Sequence, residues 1–457
     1  MKRALWVISL AAAGVLAAPP AADEVTALLA NRIEESGKAV GIVAGTLDAS
    51  GSHVFARGRA SEDRAIALDG DTVFEIGSIT KVFTSLTLAD MIERGEVKAA
   101  DPVEKYLPAG SKVPSRNGKA ITLLDLSMQV SGLPRLPDNL LPTGGATDPT
   151  NPYAAYDGKK LLDFLARAQL LSDPGEKYLY SNFAVGLLGY ALAARNGTSY
   201  GEMVKKRILE PLGMKSTSVV LSADQRNRLA HGHDAALAPV ANWDFDALAG
   251  AGALRSTTND MLKFLAAAMD LTDTPLKPAF HRMLSVNHAT GVADLDIAMA
   301  WHIWRKYGSS IVWHNGGTAG YHAFIGFDPG AKRGAVVLCD TFFDIDDMGL
   351  HLIDARYPAQ KFEPPVPEIK VDPKILESYT GEYELAPGFS IKITTDGGHL
   401  YEQATNQPRF EIFAAKENEF FLKVVEARIT FSKDAGGQVV GLTLHQNGQE
   451  TPGKKLR

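Results

Sequence analysis

Ser78 and Lys81 are the residues of this sequence whose types and spacing most clearly suggest chemistry. A serine hydroxyl is a weak nucleophile until a base removes its proton, and a lysine amine can do so once its pKa is lowered. The two residues lie three positions apart at the predicted start of an apolar helix, so their side chains share one helix face. Burial and the positive helix end favour a neutral amine, and the same end offers a backbone N–H to an oxyanion. The alternative is a capping serine beside a solvated lysine.

Tyr180 and Asn182 form a second candidate element within Tyr-Ser-Asn. They follow an Asp-Pro-Gly turn and precede a predicted helix over residues 183–195. A tyrosine at such a junction can project into a cleft, and the asparagine amide can donate to a substrate carbonyl. The alternative is a core tyrosine followed by a helix-capping asparagine.

His314, Gly316 and Gly317 form a third candidate element within Trp-His-Asn-Gly-Gly. The segment ends a predicted strand, and its last three residues are predicted to turn or bend. Small residues let a substrate backbone approach closely, and the Gly317 N–H is a candidate oxyanion donor. The alternative is a glycine bend without a functional role.

The elements that must position these residues can be read from hydrophobic patterns. Residues 39–47 and 53–57 predict a hairpin, and residues 310–314, 322–327 and 335–339 predict three later antiparallel strands. The chain between them is mainly helical, with an apolar helix after Ser78 that stops at Gly95. A proline-rich linker near residue 364 precedes six short alternating segments, which predict a small antiparallel barrel or sandwich. These segments are residues 390–394, 399–402, 410–413, 419–424, 427–431 and 439–445.

The three motifs, in this order, resemble those of the serine β-lactamases and penicillin-recognising D-alanyl-D-alanine peptidases. Tyr-x-Asn as the second motif is similar to the class C branch with its related carboxypeptidases and esterases, whereas class A enzymes have Ser-Asp-Asn. The resemblance covers about residues 25 to 360 and implies an α+β fold, with a five-stranded antiparallel sheet flanked by helices and an all-helical lobe. It implies these roles: Ser78 as nucleophile, Lys81 as its partner, Tyr180 as general base or acid, Asn182, His314 and Gly316 at the substrate, and the Ser78 and Gly317 N–H groups as the oxyanion hole.

Two departures from the family pattern affect this interpretation. His314 stands where β-lactamases usually have a lysine, and a histidine is mostly neutral near pH 7. Related peptidases and esterases also have histidine there, so efficient β-lactam hydrolysis is disfavoured. Gln129-Val130-Ser131-Gly132 stands where relatives often have His-Thr-Ser-Gly.

The N-terminus has the pattern of an export signal. Lys2 and Arg3 precede an apolar run from Ala4 to Val15 and then small residues, which is typical of a secretory signal peptide and too short for a stable membrane anchor. The alternative is a buried N-terminal helix. We predict a signal peptide over residues 1–22, a catalytic domain over 23–360 and a C-terminal barrel over 361–457, in a secreted or periplasmic protein.

Composition and the remaining residues narrow the function classes. The net charge of -6 does not indicate a basic surface for binding nucleic acid. The lone cysteine, Cys339, excludes an intramolecular disulfide. His231 and His233 could bind zinc, but no third ligand is evident nearby, so we expect neither metal nor cofactor.

The sequence therefore predicts a serine hydrolase that acts through an acyl-enzyme on D-amino-acid peptides, small esters or β-lactams. The alternative is a β-lactam or wall-peptide binding protein that acylates without efficient turnover. The expected partner is a small-molecule or short-peptide substrate, with no nucleic acid and no stable membrane anchor after signal cleavage. The oligomeric state stays open.

Overall fold

The computed structural model describes residues 19–61, 68–141, 148–423, 425, 427–446 and 449–456. The predicted signal peptide lies outside these residues except for its last four positions. The chain divides into two compact units, Met1–Glu363 and Pro364–Arg457. In the part that is described, no helix combines the length and apolar character needed to cross a membrane.

An eight-stranded antiparallel sheet forms the framework of the first unit, in the order β2-β1-β12-β11-β10-β9-β8-β7. The prediction of five strands is therefore corrected to eight. The additional strands are β7, β8 and β9, and of these β7 and β8 have only two and three residues, which is too short for an alternating pattern to show. The strands of this unit are β1 (Gly41–Asp48), β2 (Gly51–Gly58), β3 (Val73–Glu75), β4 (Ser115–Arg116), β5 (Lys119–Ala120), β6 (Arg255–Thr257), β7 (His288–Ala289), β8 (Leu295–Ile297), β9 (His302–Lys306), β10 (Ser309–Gly317), β11 (His322–Asp328) and β12 (Arg333–Cys339).

Strand β10 carries the third motif and is longer than predicted. Asn315, Gly316 and Gly317 stay in the strand and pair with Phe324, Ala323 and His322 of β11. The predicted bend at these residues is therefore wrong. The two glycines are not there to form a turn. They allow another main-chain segment to approach the strand closely, as described with the active site below.

Two helices that are buried on nearly every side form the core of the helical part. These are α2 (Thr80–Glu93) and α5 (Asn182–Asn196), whose residues are nearly all buried, as expected for central helices. Gly197, at φ +70°, ends α5 in the left-handed conformation that the sequence predicted as a stop. The other helices are α1 (Ala22–Ala30), α3 (Leu123–Ser127), α4 (Gly158–Leu165), α6 (Tyr200–Val204), α7 (Ala223–Asn227), α8 (Thr258–Ala268), α9 (Lys277–Leu284), α10 (Asp346–Ile353) and, in the second unit, α11 (Pro373–Tyr379). Short 3-10 turns lie at Gly77–Ile79, Val103–Tyr106 and Ala249–Ala251, and π-helical turns at Asn31–Glu35 and Lys205–Leu209.

The second unit is a closed barrel of eight antiparallel strands. The sequence predicted six of them but not the first and last, β13 and β20, which pair with each other and thereby remove both free edges. Its core includes Tyr379 stacked on Phe431 at 4.2 Å between ring centroids. The strands are β13 (Gly381–Ala386), β14 (Phe389–Asp396), β15 (His399–Ala404), β16 (Phe410–Lys416), β17 (Glu419–Phe421), β18 (Ala427–Lys433), β19 (Val439–Gln446) and β20 (Gln449–Lys455).

Candidate active site

Ser78 lies in the 3-10 turn Gly77–Ile79, and Lys81 lies in the first turn of α2 that follows. The Lys81 Nζ donates to Ser78 Oγ at 2.7 Å and to the carbonyl oxygen of Ala251 at 2.7 Å. The Lys81 side chain is fully buried, whereas Ser78 is partly exposed. The structure thus brings the predicted nucleophile and its predicted partner into direct contact.

Burial, and then the positive charge of Arg135, lower the pKa of the Lys81 amine well below its ordinary range. Removing an ammonium from water disfavours its charged form, and a nearby cation disfavours it further. The neutral amine that results can accept the hydroxyl proton of Ser78.

Tyr180 completes this group from a different part of the chain. Its ring centroid lies 5.1 Å from Lys81 Nζ, and its phenol lies near enough to Ser78 for that residue to affect the pKa of the phenol. Burial raises the pKa of the Tyr180 phenol, so the group stays protonated while the amine is neutral. Two segments distant in sequence therefore place a hydroxyl, an amine and a phenol together.

Gln129 holds the segment that carries Tyr180. Its main-chain oxygen accepts from Leu179 N at 2.8 Å, and its side-chain Oε1 accepts from Ser181 N at 2.7 Å. Gln129 itself is buried and has φ +62°, which turns its backbone toward this segment. The side chain of Ser181, not that of Asn182, caps α5 by accepting from Ala184 N.

Asn182 lies beside the group, in the first turn of α5. Its main-chain N–H donates to the Arg135 carbonyl at 3.0 Å, and its side chain lies near enough to Tyr153 to lower the pKa of that phenol against the larger effect of burial. Its Oδ1 is buried and has no hydrogen-bond partner among the described residues. Donation from this amide to a substrate stays a prediction.

The glycine end of β10 packs directly against the Ser78 turn. A Cβ added at Gly316 would lie 2.0 Å from Ile76 O and 2.9 Å from Ser78 N. A Cβ added at Gly77, where φ is +48°, would lie 2.8 Å from Gly317 N. Only glycine fits at these positions, and the close approach brings the amides of Ser78 and Gly317 near one another.

His314 is buried on β10, with its ring 6.4 Å from that of Tyr180 and 5.4 Å from that of His302. Its Nδ1 lies 2.5 Å from the carbonyl oxygen of Asn315. Burial, followed by the charges of His302 and Lys81, lowers the pKa of His314 well below its ordinary range. The third motif therefore contributes a neutral imidazole.

The sequence patterns did not identify four residues that shape the site: Arg135, Tyr178, Ala251 and His302. The Arg135 guanidinium lies 4.9 Å from the Tyr180 ring centroid, and the Tyr178 hydroxyl is hydrogen-bonded to His302 at 3.0 Å. Burial lowers the pKa of His302 to about 4. Ala251 contributes its main-chain carbonyl oxygen, and a contact of that kind cannot be predicted from the type of side chain. Arg135 could have been considered, because it lies only three residues beyond segment 129–132, which departs from the family pattern.

The predicted alternative of a zinc site at His231 and His233 gains no third ligand from the fold. Among the described residues, the histidine and acidic side chains close enough to share an ion are His322, Asp344 and Asp346, and neither His231 nor His233 belongs to that group. Asp346 is occupied by hydrogen bonds from Asn315 and His322, which join β10, β11 and α10. The ring of His233 is buried with Nδ1 3.1 Å from the carbonyl oxygen of Asp340.

Comparison with known proteins places this geometry in context. The D-alanyl-D-alanine-carboxypeptidase/endopeptidase AmpH of Escherichia coli (strain K12) is 32% identical over 257 residues, covering 56% of this chain and 64% of that protein. The chain thus spans slightly less than two thirds of that relative's length. Penicillin-binding protein 4* of Bacillus subtilis (strain 168) is 25% identical over 431 residues, covering 87% of this chain and 90% of that protein.

Solved structures show the same fold. The octameric penicillin-binding protein homologue from Pyrococcus abyssi has a TM-score of 0.63 at 21% identity, covering 94% of this chain and 98% of that chain. The β-lactamase/D-alanine carboxypeptidase from Pseudomonas syringae has a TM-score of 0.62 at 20% identity, covering 74% of this chain and 99% of that chain.

Two family models match the chain. A model described as a domain of unknown function (DUF3471) matches residues 366–455. The model named Beta-lactamase matches residues 25–356, well over half of the chain. The protein therefore belongs to the β-lactamase family of serine hydrolases.

Proposed function

We propose that this protein hydrolyses amide or ester bonds through an acyl-enzyme on Ser78. The observation that carries the proposal is the 2.7 Å contact between Ser78 Oγ and Lys81 Nζ, made by an amine whose pKa burial lowers well below its ordinary range. A neutral amine in contact with a partly exposed hydroxyl is the arrangement that activates a serine.

The proposed reaction begins with transfer of the Ser78 proton to Lys81. Ser78 Oγ then attacks the substrate carbonyl carbon, and the oxyanion is stabilised by the amides of Ser78 and Gly317. The Tyr180 phenol passes a proton to the leaving nitrogen or oxygen and regains one from the Lys81 ammonium. Water then attacks the ester on Ser78, with the same groups acting in reverse, and releases the acyl product.

Short peptides that end in D-amino acids and small esters are the substrates we propose, with weak β-lactamase activity at most. Support comes from the neutral, buried His314, which provides no fixed positive charge where β-lactamases usually have one. The carboxypeptidase/endopeptidase name of one relative is consistent with a peptide substrate.

We also propose export, with residues 1–22 removed and the enzyme at work in the periplasm or outside the cell. The basic start and the apolar run of residues 4–15 support this. In this proposal residues 23–360 carry the chemistry, and residues 361–457 form an accessory domain.

A labelling experiment tests the acyl-enzyme. The purified protein is incubated with a fluorescent penicillin and with a fluorophosphonate, and the labelled peptide is identified by mass spectrometry. Ser78 is the expected site, and Ser78→Ala is expected to abolish labelling. Ser50→Ala, which changes an exposed serine in the β1–β2 turn, is the matched control. Absence of label in folded protein, or unchanged labelling of Ser78→Ala, contradicts the proposal.

A substrate screen separates turnover from binding. D-Ala-D-Ala peptides, nitrocefin and p-nitrophenyl acetate are each offered to the wild type and to Ser78→Ala. We expect Ser78-dependent release of D-alanine or of p-nitrophenol, with little nitrocefin hydrolysis. Stable labelling without release of any product would instead support a binding protein that acylates and does not turn over.

A further inference from the structure

We infer that Arg135 is the residue that selects substrates, by binding a carboxylate that the substrate carries next to its scissile bond. The inference rests on the proposed function and adds the substrate class: anionic peptides or esters are preferred to neutral ones of the same size. Three observations support it, taken in turn below.

The first observation is the position of Arg135. It lies on the loop after α3, and its carbonyl oxygen accepts from the main-chain N–H groups of Asn182 and Phe183 at 3.0 and 3.3 Å. This anchors the residue to the start of α5, next to Tyr180. Its guanidinium lies 4.9 Å from the Tyr180 ring centroid, within the range of a cation–π contact. A substrate that reaches Tyr180 therefore comes within reach of Arg135.

The second observation is that the guanidinium is available. Arg135 is exposed, and no carboxylate of the described residues pairs with it. Asp138 of the same loop is already engaged, because it pairs with Arg167. A planar guanidinium with free N–H groups is suited to bidentate binding of a carboxylate.

The third observation is that neither His314 nor Lys81 can provide the positive charge for the carboxylate. His314 is buried and neutral, and the Lys81 amine is enclosed by Ser78 and Ala251. Arg135 lies at the edge of the site formed by Ser78, Lys81 and Tyr180. Its positive charge acts to lower the pKa values of four side chains there, those of Lys81, Tyr153, Tyr178 and Tyr180. The positive charge that is missing from the third motif is thus supplied from the loop after α3.

Three matched ester substrates test the assignment: one neutral at both ends, one with a carboxylate on the leaving-group side and one with a carboxylate on the acyl side. The value of kcat/KM is measured for the wild type, Arg135→Gln and Arg135→Lys. The wild type is expected to prefer one of the two charged esters to the neutral ester by roughly tenfold, chiefly through KM. The ester that gains identifies the side on which the carboxylate binds.

The ratio of charged to neutral kcat/KM is the decisive readout, because a general loss of structure lowers all three values alike. We expect Arg135→Gln to bring the ratio close to one and Arg135→Lys to keep part of it. Arg94→Gln, which removes an exposed arginine paired with Asp90, is expected to keep the wild-type ratio. An unchanged ratio in Arg135→Gln, or no preference in the wild type, overturns the assignment and leaves the hydrolase standing. Failure to hydrolyse any ester, with no label on Ser78, overturns the proposed function itself.

Discussion

The side-chain oxygen of Gln129 accepts a 2.7 Å hydrogen bond from the main-chain N–H of Ser181. The main-chain oxygen of the same residue accepts from Leu179, so that one buried glutamine holds both neighbours of Tyr180. Relatives often carry histidine in this motif. In this structure the glutamine holds the main chain on both sides of Tyr180.

Gln129→Ala is expected to slow acylation by about tenfold to a hundredfold, because a misplaced phenol loses its alignment with Ser78. The change also leaves the buried Ser181 N–H without an acceptor, at a cost of about 1–3 kcal/mol in the free energy of unfolding. Stopped-flow labelling with a fluorescent penicillin measures the rate, and urea unfolding measures the stability. Gln129→Glu, which keeps an acceptor oxygen, is expected to retain more activity than the alanine variant. Wild-type acylation by Gln129→Ala would show that the hydrogen bond does not position Tyr180.

Arg135→Gln is expected to move the pH profile of kcat/KM for the neutral ester to higher pH. Burial is the largest cause of the lowered pKa of Lys81, and the charge of Arg135 lowers that pKa further. Loss of the arginine therefore raises the pKa, so that as the pH falls the amine becomes protonated at a higher pH than in the wild type. The acid limb is the readout, because burial raises the pKa of Tyr180 and keeps that phenol protonated throughout the profile. Arg94→Gln serves as the control for loss of one positive charge. An acid limb that stays in place, or moves to lower pH, would contradict this electrostatic coupling.

Gly316→Ala and Gly317→Ala are expected to behave differently although they are adjacent. A Cβ at Gly316 would meet the main-chain oxygen of Ile76 at 2.0 Å, so the backbone must shift, at a cost of about 3 kcal/mol. A Cβ at Gly317 would meet only a ring carbon of Phe342 at 3.2 Å, and that exposed side chain can move, so we expect a cost below about 1 kcal/mol. Thermal unfolding compares the two variants. Equal losses of Tm would show that β10 does not contact the Ser78 turn as described.

His302 is expected to make the protein less stable as the pH falls. Burial lowers its pKa from 6.5 to about 4, so between these values the unfolded chain binds a proton that the folded chain does not. The stabilisation is therefore complete above pH 6.5 and is lost toward pH 4, with roughly 2 kcal/mol lost between about pH 7 and pH 5. Urea unfolding of the wild type and of His302→Gln at these two pH values measures the difference. His302→Gln should lose less stability than the wild type, and equal losses would contradict the assignment.

Local patterns were enough to predict much of the architecture. The continuous apolar runs of β11, β12 and α2 lie where the sequence indicated, because strands buried on both faces and a helix buried on all sides need apolar residues at nearly every position. The strands that were missed are short, like β7 and β8, or polar, like β20 with its Pro452 and Gly453. Pairing with neighbours, and not their own composition, makes these segments strands.

The capping of α8 shows the same limit on a smaller scale. Thr257 and Asp260 have the spacing of a capping box, and the Thr257 hydroxyl does accept from the Asp260 amide. The Asp260 carboxylate, however, accepts from Ser216 and Thr217 of another segment and so does not return to the cap. A tertiary partner thus competes with the local one.

The sequence by itself determined the residue types of the site and their order along the chain, because Ser78 and Lys81 must share a helix face and glycine is the residue for close backbone approach. Only the tertiary structure decided which charges act on them. The neutral state of Lys81 and His314 depends on burial among segments far apart in the chain, and the nearness of Arg135 to Tyr180 depends on the anchoring of its loop to α5. Desolvation and Coulomb interactions depend on distance in space, which the spacing of residues along a chain does not contain.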